Sequence, residues 1–145
     1  MHECAPFILT PVRSPRAVTY PALAGFQRRF DARVRECLIT AGLQKLADNP
    51  QGLDLTHDEW DDVLSGGERQ RIGFARLFYA APKFAILDES TAAINPDEEG
   101  KLYAACVDAG ITLISIAHRL ELRAFHQQEL VLKGDGTGAW ELRQL

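Results

Sequence analysis

The chain has 145 residues, enough for one well-packed domain and too few for two. Apolar residues make up 46% of it and charged residues 25%, a globular balance that excludes a disordered or fibrous protein. A formal net charge of -4 argues against a duplex-DNA binder, and no apolar run approaches the roughly 20 residues that span a membrane.

The first seventeen residues are proline-rich and without period, so 1–17 reads as an irregular leader. Met1-His2-Glu3 has no basic region, and Pro6, Pro11 and Pro15 break up the stretch behind it, so no secretory signal is expected. Between Asp31 and Leu46 the residues Val34, Leu38, Ala41 and Leu46 fall mostly on one face, which predicts an amphipathic helix. Asn49-Pro50-Gln51-Gly52 is a turn. The acidic stretch Asp58-Glu59-Trp60-Asp61-Asp62-Val63 lacks calcium-loop spacing and reads as a solvated connector. After Gly67 the residues Ile72, Ala75, Leu77, Phe78 and Tyr79 predict a helix that Pro82 ends.

Phe84-Ala85-Ile86-Leu87 is a short, wholly apolar run, the kind buried on both faces of a parallel sheet. Asn95-Pro96-Asp97-Glu98 opens another helix with an Asn cap, a first-turn proline and acids at the positive helix end. That helix should run to about Asp108, with Gly110 just past it. Ile111 to Ala117 predicts a second buried strand. A short helix and a terminal hairpin come next, Glu129 to Lys133 and Gly138 to Arg143, turned by Gly134-Asp135-Gly136-Thr137. Those glycines superficially suggest a dinucleotide loop, but no helix succeeds them. Strand, helix and strand in succession predict an α/β fold with a parallel pair. Cys4, Cys37 and Cys106 are widely separated and form no C-x-x-C, so neither a disulfide framework nor a zinc site is expected, and a reducing compartment is.

Chemistry concentrates at Leu64-Ser65-Gly66-Gly67-Glu68-Arg69-Gln70. Ser65 and Glu68 have the spacing of a capping box, which needs no function. That leaves Gly66 and Gly67 unexplained, although each glycine costs a helix about 1 kcal/mol. Paired glycines at a helix start let backbone N–H groups approach an anion, so phosphate contact is the sharper reading. Asp88 and Glu89 end the first apolar strand, at the crevice where parallel sheets bind ligands. One acid can serve Mg²⁺ through water, and the other can activate an attacking water. His118 closes the second strand at the same sheet edge.

In this order, Leu64-Ser65-Gly66-Gly67-Glu68, Phe84 to Glu89 and His118 resemble the signature motif, the Walker B strand with its catalytic Glu, and the switch His of an ABC-type ATPase domain. Trp60 with Asp62-Val63, the run Ala75 to Tyr79, Asp108-Ala109-Gly110-Ile111, and the glycine-rich hairpin before Trp140 look most like the peroxisomal fatty-acyl half-transporters, subfamily D. The resemblance covers 18–145, and it implies a partial P-loop NTPase-type fold whose P-loop strand is missing.

It further implies the cofactors ATP and Mg²⁺, with Ser65, Gly66, Gly67 and Glu68 at the γ-phosphate of a nucleotide held by a second ABC ATPase domain, as a homo- or heterodimer. Asp88 would help hold Mg²⁺, Glu89 would be the general base and His118 the γ-phosphate sensor. Ala92-Ala93-Ile94-Asn95 would be the D-loop, departing from the commoner Ser-Ala-Leu-Asp. No G-x-x-x-x-G-K-[ST] occurs, and the first seventeen residues offer no adenine-stacking aromatic or Q-loop glutamine. The chain therefore looks like the carboxyl-terminal half of a nucleotide-binding domain. Its front half and a membrane-spanning domain would lie elsewhere, and it would face the cytosol on a peroxisomal membrane. The isolated chain is expected to be inactive.

Three other functions compete. A stand-alone interaction module could lend its Ser65-Gly66-Gly67 face to an intact ATPase without hydrolysing ATP. An inactive truncated product is another reading. A DNA-repair ABC ATPase would need heptads or a basic duplex-binding face, and neither is present, so no nucleic-acid partner is expected.

Overall fold

The structure, a computed structural model, describes residues 27–49 and 64–145. The expected leader, most of the Asn49 to Gly52 turn and the acidic connector lie outside these residues. Helix α1 spans Gln27–Thr40 and α2 spans Gln44–Ala47. The single helix expected over Asp31 to Leu46 is thus two. The break is a C-terminal glycine motif. Gly42 takes φ 75°, its N–H donates to Ile39 O, and Leu43 N donates to Leu38 O. The buried face of α1 is Val34, Cys37 and Leu38, with Ala41 just past its end, close to the predicted stripe.

Helix α3 spans Gly66–Ala80, burying Ile72, Phe74, Ala75 and Leu77. It ends where Ala81 enters the left-handed region, one residue before Pro82. Strand β1, Phe84–Asp88, leads into α4, Pro96–Asp108, and then β2, Thr112–Ile116. Asn95 caps α4 by accepting the Glu98 N–H at 2.9 Å. Gly110 closes it with φ 73°, while Ile111 N reaches back to Cys106 O. β1 and β2 pair in parallel, Phe84 opposite Thr112 and Asp88 opposite Ile116. A 3-10 helix, Leu120–Phe125, precedes β3, Gln128–Leu132, and β4, Trp140–Gln144, which form a separate antiparallel hairpin. Its turn is pinned by Asp135, which accepts from the Thr137 N–H and hydroxyl. No helix comes after the glycines, so they build a turn and not a dinucleotide loop.

The core lies between α1, α3, α4 and the inner face of the parallel pair. Phe74, Tyr103 and Phe125 stack through it, with centroids 6.4 and 5.5 Å apart. The strands correct one expectation. Ala85, Leu87 and Leu113 are buried, but Phe84, Ile86, Ile114 and Ile116 on the opposite face are 52–72% exposed. Among the described residues only one face of β1 and β2 is covered, because all the described helices that pack on them contribute to the same core. Cys37 and Cys106 are free and buried. Burial pushes the Cys106 thiol up to about 12 and raises that of Cys37, so neither offers a thiolate at neutral pH.

Candidate functional site

The predicted capping box is formed at α3. The Ser65 hydroxyl accepts the Glu68 N–H at 3.3 Å and donates to Glu68 Oε2 at 2.7 Å, while the Ser65 N–H donates to the same carboxylate at 2.9 Å. Glu68 is held below the usual glutamate range, first by the Ser65 hydroxyl and then by the Ser65 amide. An α-helix begins with four N–H groups that lack intrahelical acceptors. The box satisfies two. The Gly66 and Gly67 amides remain open among the described residues, at the end of the helix where its dipole favours an anion.

The glycines have a second reason to be glycine. A Cβ on Gly67 would stand 3.1 Å from Ala93 O, and one on Gly66 3.4 Å from Ala93 Cβ. The loop Ala92 to Asn95 therefore packs directly on the helix start. Gln70 fastens it there, its Oε1 accepting the Ala93 N–H at 2.9 Å. Arg71 of α3 also pairs with Glu98 of α4.

Parallel pairing delivers the other predicted residues to one edge. Asp88 ends β1 on its exposed face. Glu89 is next, with φ 42°, a left-handed conformation that costs a non-glycine residue about 1 kcal/mol. Its N–H still donates to Ile116 O at 3.0 Å, so the turn is fixed by the end of the ladder. The turn aims Glu89 Oε1 at His118 Nδ1, 3.4 Å away, with the two side chains 58% and 75% exposed. Glu89 and His118 thus meet, as their placement at neighbouring strand ends predicts, and Asp88 stands beside them. Beneath lies a network that the sequence does not reveal: Glu99 of α4, 2% exposed, accepts from Thr91 Oγ1 and from Arg119 Nη1. Its acidic first-turn position is legible in the sequence, but its partners depend on tertiary packing.

The donor set suits Mg²⁺ only in one way. Among the described residues no group of three or more His, Cys, Asp or Glu could enclose a metal ion. Mg²⁺ keeps several waters and takes one or two carboxylates with substrate phosphates, and exposed Asp88 matches that partial role. Ser90 Oγ, buried with no hydrogen-bond partner among the described residues, leaves a further unfilled bond beside the acids. The only glycine–lysine pair, Gly100-Lys101, lies inside α4, and so cannot be a phosphate loop. No described helix is long and apolar enough to cross a membrane.

Comparison with known proteins bears on the whole assembly. The ABC transporter family model matches residues 10–92. The human lysosomal cobalamin transporter ABCD4 is 47% identical over 116 residues, covering 79% of this chain and 19% of that protein. Human ATP-binding cassette sub-family D member 3 is 43% identical over 131 residues, 88% of this chain and again 19% of the relative. A bacterial Atm1-family ABC exporter solved with ATP bound superimposes with a TM-score of 0.66 at 30% identity, over 83% of this chain and 21% of the exporter. The chain spans about a fifth of the length of the relatives it matches. The resemblance to subfamily D and the partial P-loop NTPase-type α/β fold both hold, and the chain belongs to the ABC transporter family.

Proposed function

We propose that this chain forms the carboxyl-terminal part of the ATP-hydrolysing motor of an ABC transporter. The observation that carries the reading is the meeting of Glu89 and His118 at the ends of two parallel strands. In this reading Glu89 takes the proton of the attacking water and His118 donates a hydrogen bond toward the γ-phosphate. The Gly66 and Gly67 amides, with Ser65 and Glu68 shaping the helix start, face a nucleotide held by a second ATPase domain. Asp88 holds Mg²⁺ through water, and the bound ion supplies charge neutralisation at the phosphates. The phosphate cradle comes from a P-loop that this chain does not contain, and the work reaches a cargo through a membrane-spanning domain.

The cargo reading is a fatty acid or fatty acyl-CoA, moved across the peroxisomal membrane with this domain on the cytosolic side. The subfamily resemblance supports it. A relative named for cobalamin and the lysosome shares 47% identity over the aligned stretch, so motor sequence alone does not select cargo or compartment. Transport of labelled acyl-CoA and of cobalamin into vesicles by the complete transporter would separate the two.

The motor reading is tested in a chimera in which this chain replaces the aligned stretch of human sub-family D member 3. The chimera should hydrolyse ATP. Glu89→Gln should lower kcat by at least about 100-fold, within the usual yield of general-base catalysis, while ATP binding is kept. A variant that no longer binds ATP would make Glu89 structural. The competing interaction-module reading predicts that the unmodified chimera binds a partner ATPase domain but shows no turnover dependent on Glu89.

A further inference from the structure

Glu89 and His118 are both largely exposed, so nothing packed around their side chains holds them 3.4 Å apart. An exposed pair of this kind supplies at most about 1 kcal/mol, too little to organise two loops. Their placement must come from the backbone beneath. There stands Glu99, a carboxyl group only 2% exposed, whose burial is costly unless its oxygens are hydrogen-bonded. Two donors reach them. Thr91 Oγ1 donates to Glu99 Oε1, and Arg119 Nη1 donates to Glu99 Oε2 at 3.0 Å. Thr91 lies two residues after Glu89, and Arg119 directly succeeds His118. One buried carboxylate therefore clasps both loops. The same Arg119 nitrogen donates to Ile94 O at 3.0 Å, inside the loop that packs on the start of α3.

We propose that Glu99 is a positioning residue, which fixes the separation of Glu89 and His118 through Thr91 and Arg119 and ties both to the Ala92–Asn95 loop. The proposal rests on the motor reading and adds to it the part that sets the geometry of the hydrolytic pair. A buried ion pair is weak ground for stability, since well-packed apolar groups often do better. It does fix direction: one Arg119 nitrogen donates to both Glu99 Oε2 and Ile94 O, so the carboxylate and the loop share a single anchor. Glu99 touches neither reacting atom, so its effect passes entirely through the two loops.

The test uses Glu99→Gln and, in case that variant folds poorly, Arg119→Met, which removes both hydrogen bonds at a part-exposed site and keeps the stem. Amide-resolved hydrogen exchange is measured, without nucleotide, on the chimera, in which the rest of the ATPase domain supplies the missing cover. The Glu89 N–H, bonded to Ile116 O, and the Ile94 N–H, bonded to Thr91 O, should lose at least about tenfold in protection. The interior of α3 and the middle of β1 should keep theirs. Uniform loss across α3 and β1 would mean ordinary core destabilisation and overturn the proposal, as would unchanged protection in both variants. In an active chimera Glu99→Gln should lower kcat by about tenfold with KM for ATP changed less than about twofold. An unchanged kcat there also overturns it. A chimera with no turnover at all counts against the motor reading, and the exchange pattern, which involves no nucleotide, still decides whether Glu99 clasps the loops.

Discussion

At the start of α3, a plain cap and a candidate phosphate contact share four residues without competing for the same atoms. Ser65 and Glu68 use their side chains on each other, and the two glycine amides between them stay open. The cap should therefore be separable from binding. Ser65→Ala should cost about 1 kcal/mol, the usual loss for an N-cap. It would be read as reduced exchange protection at the Glu68 amide. The cap should also respond to acid. Glu68 is held below its ordinary 4.5 in the folded state, so its contribution is fully present above that value and fades as pH falls through the lowered folded one. First-turn protection should drop in that acid window in the wild type and show no such step in Glu68→Ala. An equal step in both would place the titrating group elsewhere. The S-x-x-E spacing makes the cap legible in the sequence. The contact of Gly67 with Ala93 O is not, since it joins residues 26 positions apart and depends on the fold.

Among the elements, local signals mark the ends of helices well and say little about what covers a strand. The Asn95 cap, Pro96, the three first-turn acids and Gly110 mark both ends of α4, and the structure places them there. Gly42 is an equally good stop signal inside the predicted first helix, but the apolar stripe continues to Leu46 and obscures it. For the strands, an apolar run on both faces shows that both can be buried, not that both are covered. Alternation then makes a prediction that sequence alone could not. Leu87→Ala, on the covered face, should cost about 2–4 kcal/mol. Ile86→Thr, one residue away and 72% exposed, should change stability by no more than about 0.5 kcal/mol. The same Ile86→Thr should lower self-association, measured by light scattering. A large loss from Ile86→Thr would show that this face is covered in solution.

At the scale of the whole molecule, two small sheets stand apart and each shows apolar residues to solvent. Beyond the outer face of β1 and β2, the hairpin exposes Leu130 beside Leu142 and Leu132 beside Trp140. Parallel sheets occur almost only with both faces covered, and two strands rarely hold on their own. Exposed apolar strands also template pairing with other chains. The lost burial, at about 25 cal/mol per Å², is drawn from a net stability of only roughly 5–15 kcal/mol. The chain by itself should therefore aggregate or remain partly molten, and a P-loop-bearing segment from a subfamily D relative, added in trans, should sharpen its melting transition. Chemistry obeys the same division. Without P-loop amides and lysine the β- and γ-phosphates have no cradle, and positioning supplies most of the catalysis in phosphoryl transfer. ATP turnover by the chain alone should stay at background, and Glu89→Gln should leave that background unchanged. A reversible two-state melt of the monomer, with no gain from the added segment, would show that the exposed faces need no cover. Turnover abolished by Glu89→Gln in the same preparation would show that some other part of these 145 residues holds the phosphates.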